Sequence, residues 1–275
     1  MTVRLIATDM DGTFLDGQGS FDRERFSRVL DQLDQKRIPF VIASGNGIGR
    51  LLQLCQGFEQ RLIFVADNGA HIYHQGKTLI RRTIQQEEVE AILHFFKGRW
   101  ADICLMLSNE ENIYMQAGAG MPFAGTDLPI EPAQMAAFQN RVTYLDDLSA
   151  YPISELIYKV GIWVPEASVE SITEEFNQAF QGRLTAVTSG YGSIDILPEG
   201  IHKAWGLEQV LTSLDIEPEQ VMAFGDSDND IELLSYAGHS YAMENATDKV
   251  KAVAKYMAPS HLGAGVLQVI EEYIL

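Results

Sequence analysis

A chain of 275 residues is longer than one hydrophobic core usually serves, so two domains, or one domain with a large insertion, are expected. Hydrophobic residues at 46% and charged residues at 21% are ordinary globular proportions and exclude a disordered chain. Asp and Glu outnumber Lys and Arg by 38 to 20, and the resulting charge of −18 argues against nucleic acid or anionic lipid as partners, since both carry the same sign.

The same field repels phosphorylated small molecules, so a phosphate site in this chain needs cations of its own. Most of the acidity reads simply as a solubilising surface. Cys55 and Cys104 form no CxxC pair and have no histidine cluster beside them, which argues against a zinc site or disulfide framework and fits a reducing compartment. The apolar run Val3 to Ala7 is too short for a signal peptide and no run reaches transmembrane length, so a cytoplasmic protein is expected.

In chain order, four apolar runs end in small or acidic residues: VRLIATDMDGT (3–13), PFVIASGN (39–46), LIFVADNGA (62–70) and VMAFGDSDND (221–230). Runs that are apolar throughout suit strands covered on both faces, as in a parallel sheet. Between the first two, Phe21 to Gln35 has Phe26, Val29, Leu30 and Leu33 on one helical face, with Ser20 as the expected cap. Strand, helix, strand in this rhythm predicts a doubly wound α/β core.

The rhythm changes after about Arg82. A helix is expected over 85–98, strands near 102–107 and 112–117, and a Pro- and Gly-rich stretch from Gly118 to Pro132. A helix near 133–140, a strand near 155–164, a helix near 167–181 and a strand near 184–188 follow. This α+β insert spans 85–189, between core segments 1–84 and 190–275. The core is expected to resume with SIDILPEGIHKAWGLEQVL (193–211) and to continue through helices near 229–237 and 262–273.

Ligands of open α/β sheets bind beyond the carboxyl ends of the strands. Those ends hold Asp9 and Asp11, Ser44, Asn68, and Asp226 with Asp230. Four carboxylates in one crevice repel one another unless a cation sits among them, and an oxygen-rich set suits Mg²⁺ better than a transition metal. Singly, an Asp at a strand end is more often a helix cap or turn residue. Asp226, Asp228 and Asp230 have EF-hand spacing, but Ile231 stands where that loop needs Gly and Ala237 where it needs Glu. Gly45, Gly47 and Gly49 come one position short of a dinucleotide fingerprint.

Four motifs in order are more specific. DMDGT (9–13) follows a strand, Ser44 ends the second strand, Lys203 opens a helix, and GDSDND (225–230) follows a late strand. On these the chain resembles the haloacid dehalogenase superfamily. The position and size of the insert resemble a type IIB cap, as in the Cof-type sugar phosphatases.

The resemblance implies an aspartyl-phosphate mechanism, which splits one difficult displacement into two. It makes Asp9 the nucleophile and Asp11 the general acid and base. Carboxylates at both positions mark phosphatases and mutases, whereas dehalogenases lack the second. Mg²⁺ would be held by the Asp9 side chain, the Asp11 backbone carbonyl and Asp226. Lys203 would tie Asp9 to the substrate phosphate, which Ser44, Asn229 and the backbone amides after Met10 and Gly45 would also contact. Asp230 would orient Lys203 or metal-bound water, and Thr13 would stabilise the first motif.

One departure stands out: relatives often read TGR or SGR after the second strand, whereas this chain reads SGNG, with Asn46 in place of the Arg and Arg50 as a possible substitute. Specificity is expected in the insert, where Lys159 and the SGYG turn (189–192) are candidates. Lys159 reads rather as a solubilising edge-strand residue and the turn as a hinge at the junction. Trp163 and Phe176 have core spacing, and His71, His74 and His202 are assigned no catalytic role. The expected activity is hydrolysis of small phosphorylated metabolites, sugar phosphates foremost. The rivals are a phosphomutase using the same intermediate and a non-catalytic metabolite-binding regulator.

Overall fold

The protein is described from a computed structural model, which covers residues 3–109, 111–122 and 132–274. Residues 123–131 of the expected Pro- and Gly-rich stretch lie outside the described residues. The chain forms two compact units, one of Met1–Arg81 with Ile201–Leu275, the other of Arg82–Gly200.

The first segment carries β1 (Leu5–Thr8), α1 (Arg23–Lys36), β2 (Phe40–Ala43), α2 (Ile48–Leu54), β3 (Leu62–Ala66), β4 (His71–His74) and β5 (Lys77–Arg81). The second unit carries α3 (Gln86–Phe95), β6 (Met106–Ser108), β7 (Ile113–Gln116), α4 (Pro132–Gln139), β8 (Val142–Leu145), β9 (Lys159–Trp163), α5 (Glu166–Ala179), β10 (Leu184–Thr188) and β11 (Ser193–Pro198). The chain then returns through α6 (Lys203–Leu214), β12 (Val221–Gly225), α7 (Ile231–Tyr236), β13 (His239–Met243), α8 (Asp248–Val253), β14 (Tyr256–Ala258) and α9 (Gly265–Tyr273).

The first unit is a Rossmann-like α/β core. Among the described residues its sheet runs β14-β13-β12-β1-β2-β3-β4-β5, parallel except for the antiparallel pairs of β4 with β3 and β5. Every residue of β1, β2, β3 and β12 is buried, which is why these strands read as unbroken apolar runs. The chain winds outward from β1 through β2 and β3 in one direction, and from β12 through β13 and β14 in the other. The β1–β12 pair is therefore the switch point, and the carboxyl ends of these strands are where open α/β sheets place their ligand crevice.

Helix α1 buries Phe26, Val29, Leu30 and Leu33, as its periodicity predicts. Its cap is Asp22 rather than Ser20: the Asp22 carboxylate accepts from the Arg25 amide at 2.9 Å, because the helix starts two residues later than Ser20 could serve.

The second unit holds a mainly antiparallel sheet, β10-β11-β9-β6-β7-β8, in which, among the described residues, only β7 and β8 pair in parallel. It has its own core around Phe96, Phe176, Phe180, Val160 and Ile194, with Phe176 and Phe180 stacked 4.3 Å apart.

Three expectations are corrected here. SIDILP was assigned to the returning core, but β11 pairs with β10 and β9 inside the second unit, so the core resumes at Ile201 and not at 190; at the other boundary the core ends at Arg81 rather than 84. Lys159 does not lie on an edge strand. Strand β9 is flanked by β11 and β6, and Lys159 Nζ pairs with the buried Asp195 at 2.7 Å. The SGYG segment is not a junction hinge but the β10–β11 hairpin turn, closed by the Ser193 amide on the Gly190 carbonyl at 2.9 Å.

Candidate active site

The crevice beyond β1 and β12 is built from the turns that end these strands. The Met10 carbonyl accepts the amides of Phe14 and Leu15, both at 2.9 Å, so the chain doubles back immediately after Asp9. Gly12 sits at φ +74 in this turn, and a Cβ there would come 2.5 Å from Asp226 Oδ2. Glycine is thus required both by conformation and by space. Thr13 Oγ1 donates to Asp226 Oδ1 at 2.6 Å, which fixes the fourth motif against the first, and Ser227 Oγ donates to Asp226 Oδ2 at 3.1 Å within the fourth.

Asp9, Asp226 and Asp230 bring carboxylate oxygens within 4.8 Å of one another. Lys203, the first residue of α6, is buried between two of them, with Nζ 2.8 Å from Asp9 Oδ1 and 2.7 Å from Asp230 Oδ1. Asp230 Oδ2 meanwhile accepts the backbone amides of Asp226 at 3.0 Å and Ser227 at 3.1 Å.

Three carboxylates against one ammonium leave an excess of negative charge in a buried place. Burial pushes the Asp9 carboxyl well above its ordinary value; Lys203 opposes this, while Asp230 and Asp226 add to it. Asp226 is pushed up to about 7, first by burial and then by Asp230, against the opposing hydrogen bond of Thr13. Burial alone would lower Lys203, but Asp230 and Asp9 outweigh it, and the ammonium is held above its ordinary value. A buried oxygen cluster in which Asp9 and Asp226 resist ionisation is the donor set that a hard divalent cation completes, so these residues fit such an ion.

Asp11 lies outside this cluster. Its Oδ2 accepts from Asn46 Nδ2 at 2.6 Å and its Oδ1 from Arg50 Nη2 at 2.9 Å. Ser44, buried at the end of β2, takes the Asn46 amide nitrogens of backbone and side chain on its hydroxyl, at 3.2 and 3.1 Å. Gly45 follows in the same bend. Asn229 is buried and donates to Asn68 Oδ1 at 2.9 Å, Asn68 itself being in the left-handed region at φ 52.

The structure thus gathers the motif residues at the carboxyl ends of β1, β2, β3 and β12. Sequence reasoning left Arg50 open and did not anticipate Ser227 or Asn245, whose side-chain amide holds the Gly12 carbonyl at 2.8 Å. No periodicity announces Asn245, because it stands in the turn after β13, a strand that was itself unexpected. The three histidines serve the fold: His202 caps α6, His74 bonds the Leu62 carbonyl at 3.0 Å, and His71 bonds Thr78 at 2.9 Å beside Arg81.

The family model for haloacid dehalogenase-like hydrolases matches residues 6–270. The 5-amino-6-(5-phospho-D-ribitylamino)uracil phosphatase YbjI of Escherichia coli is 31% identical over 274 residues, covering 100% of this chain and 97% of its own. The HMP-PP phosphatase of Serratia proteamaculans is 25% identical over 251 residues, covering 91% of this chain and 87% of its own. Among solved structures, SMU.1108c from Streptococcus mutans superposes with a TM-score of 0.88 at 35% identity, covering 99% of each chain. The chain belongs to the haloacid dehalogenase-like hydrolase family, in its Cof-type branch of phosphatases. No helix among the described residues is long and apolar enough to cross a membrane.

Proposed function

We propose that the protein is a Mg²⁺-dependent phosphomonoesterase of small phosphorylated metabolites, acting through an aspartyl phosphate on Asp9. The observation that carries this reading is the buried triad of Asp9, Lys203 and Asp230 beside Asp226. The Lys203 ammonium holds Asp9 at 2.8 Å and offers an anion the positive charge that the chain as a whole withholds.

In the first step Asp9 attacks phosphorus as the bond from phosphorus to the leaving oxygen breaks, and Asp11 gives that oxygen a proton. In the second, Asp11 takes a proton from water as the water oxygen bonds to phosphorus. The bond to Asp9 breaks, inorganic phosphate leaves, and both carboxyl groups return to their starting states. Ser44 and the backbone around Met10 and Gly45 hold phosphate oxygens. Asn229, fixed by Asn68, adds a buried amide on the same side. The side chains of Asp9 and Asp226 with the Asp11 carbonyl would hold Mg²⁺, which when bound neutralises the charge that otherwise bars an anion from a carboxylate.

The inserted unit, 82–200, is assigned the choice of leaving group, because the motif residues recognise only phosphate. The Escherichia coli relative, named for a phosphorylated ribityl substrate, supports sugar or polyol phosphates as the class. The test is phosphate release from p-nitrophenyl phosphate and a panel of sugar and polyol phosphates, with Mg²⁺ or EDTA, for the wild type and Asp9→Asn. The expected outcome is turnover with Mg²⁺ that EDTA abolishes and Asp9→Asn lowers at least about 10³-fold. Absence of turnover on every substrate defeats the proposal, and phosphoryl return to sugar without phosphate release moves the reading to a mutase.

A further inference from the structure

The Asp11 side chain is gripped from two sides by residues that no motif of the family assigns. Asn46 Nδ2 donates to Oδ2 at 2.6 Å and Arg50 Nη2 to Oδ1 at 2.9 Å. Among the described residues these are its side-chain partners, and neither belongs to the Asp9–Asp226–Asp230 cluster.

Both donors are themselves fixed. The Asn46 side chain also bonds the hydroxyl of buried Ser44 at 3.1 Å, its amide nitrogen meets the same hydroxyl at 3.2 Å, and its carbonyl accepts from the Asp67 amide at 3.0 Å. It is therefore held to the ends of β2 and β3. Arg50 comes from the first turn of α2, its amide bonded to the Gly47 carbonyl at 3.1 Å. The guanidinium Nε is buried without an acceptor, so the ion pair with Asp11 carries what holds this head group in place.

We propose that Asn46 and Arg50 are positioning residues that clamp the two Asp11 oxygens and aim this carboxyl group at the leaving-group oxygen. The inference rests on the acid and base role given to Asp11 above. A lone Asp side chain samples several rotamers, and proton transfer needs it within hydrogen-bond reach of the reacting oxygen. Two donors on opposite oxygens fix both side-chain torsions, one by a neutral amide and one by a charged, planar group. The SGNG sequence thereby places Asn where relatives often carry Arg and brings the guanidinium in from four residues further on.

A rival role for Arg50 is direct contact with the substrate phosphate, and leaving-group dependence separates the two. A nitrophenolate departs without a proton, whereas an alkoxide needs one. kcat and KM are measured on p-nitrophenyl phosphate and on an alkyl phosphate, with the Ki of inorganic phosphate, for Arg50→Ala, Arg50→Lys, Asn46→Ala and Asp11→Asn. The clamp predicts that Arg50→Ala and Asn46→Ala each lose about tenfold more kcat/KM, which reports the first step alone, on the alkyl than on the aryl phosphate, with Ki within about threefold of wild type. Arg50→Lys should recover part of the difference, and Asp11→Asn should show the same selectivity more strongly.

Equal losses on both substrates, or a tenfold rise in KM and Ki with kcat kept, overturn the clamp while a selective Asp11→Asn leaves the parent mechanism standing. A non-selective Asp11→Asn overturns the acid and base role itself, and the clamp with it. Thermal midpoints confirm folding, and Arg50→Lys, which keeps the charge, decides the question should the alanine variant not fold.

Discussion

Asp230 has committed both oxygens within the protein, one to Lys203 and the other to the amides of Asp226 and Ser227. That makes Asp230 the anchor that keeps Lys203 charged, whereas the Asp226 oxygens meet only the neutral hydroxyls of Thr13 and Ser227. Gly225 guards this anchor: a Cβ there would lie 2.5 Å from both Cβ and Cγ of Asp230. Gly225→Ala is expected to displace Asp230, lower kcat/KM at least about 10²-fold and cost about 1–3 kcal/mol of stability. Denaturant unfolding and steady-state kinetics check both, and a variant that is stable and active would show that Asp230 has more room than the structure gives it. Asp9, Asp11, Ser44, Asp226 and Asp230 stood out because they end apolar strand runs, and Lys203 and Asn229 only through the resemblance to the family's motifs. The contacts that Asn46, Ser227 and Asn245 make were not legible, because their partners are brought close only by tertiary structure.

At the scale of elements, legibility followed burial. Strands β1, β2, β3 and β12 are covered on both faces and stand out as apolar runs, and α1 shows a clean one-sided stripe. The hairpin of β4 and β5 escaped notice because β5, at the sheet edge, is mostly exposed and polar, with Leu79 itself 56% exposed. The exposed Lys77 there is a charge of the kind that blunts an open edge. Strand β11 was misassigned for the opposite reason. Its four central residues are buried, so SIDILP has the same apolar pattern as a core strand, and only its pairing with β9 and β10 reveals its unit. Helix α2, seven residues long with Leu51 its one buried residue, has too few turns for any period to show.

For the whole molecule, the cluster makes stability depend on metal and pH together. With Asp226 pushed up to about 7, the folded chain retains between about pH 4 and pH 7 a proton that the unfolded chain has released. The metal-free protein therefore loses stability as pH rises through that window. His71 acts oppositely: burial, then Arg81, lowers it to about 4, so it costs stability as pH falls from about 6.5. The difference between Mg²⁺-loaded and EDTA-treated protein removes the His71 contribution, because it is common to both. The thermal midpoint should rise on adding Mg²⁺, and by more at about pH 8 than at about pH 5. An equal rise at both values would place the ion away from these carboxylates.

The central claim is that Asp9 becomes phosphorylated, and trapping that species tests it most directly. Enzyme mixed with Mg²⁺ and p-nitrophenyl phosphate, quenched in acid within milliseconds and digested, is read by tandem mass spectrometry. The account predicts the mass of one phosphoryl group on the Asp9 carboxylate, absent when Mg²⁺ is chelated. Turnover without a phosphorylated Asp9, or with the label on another residue, would contradict it.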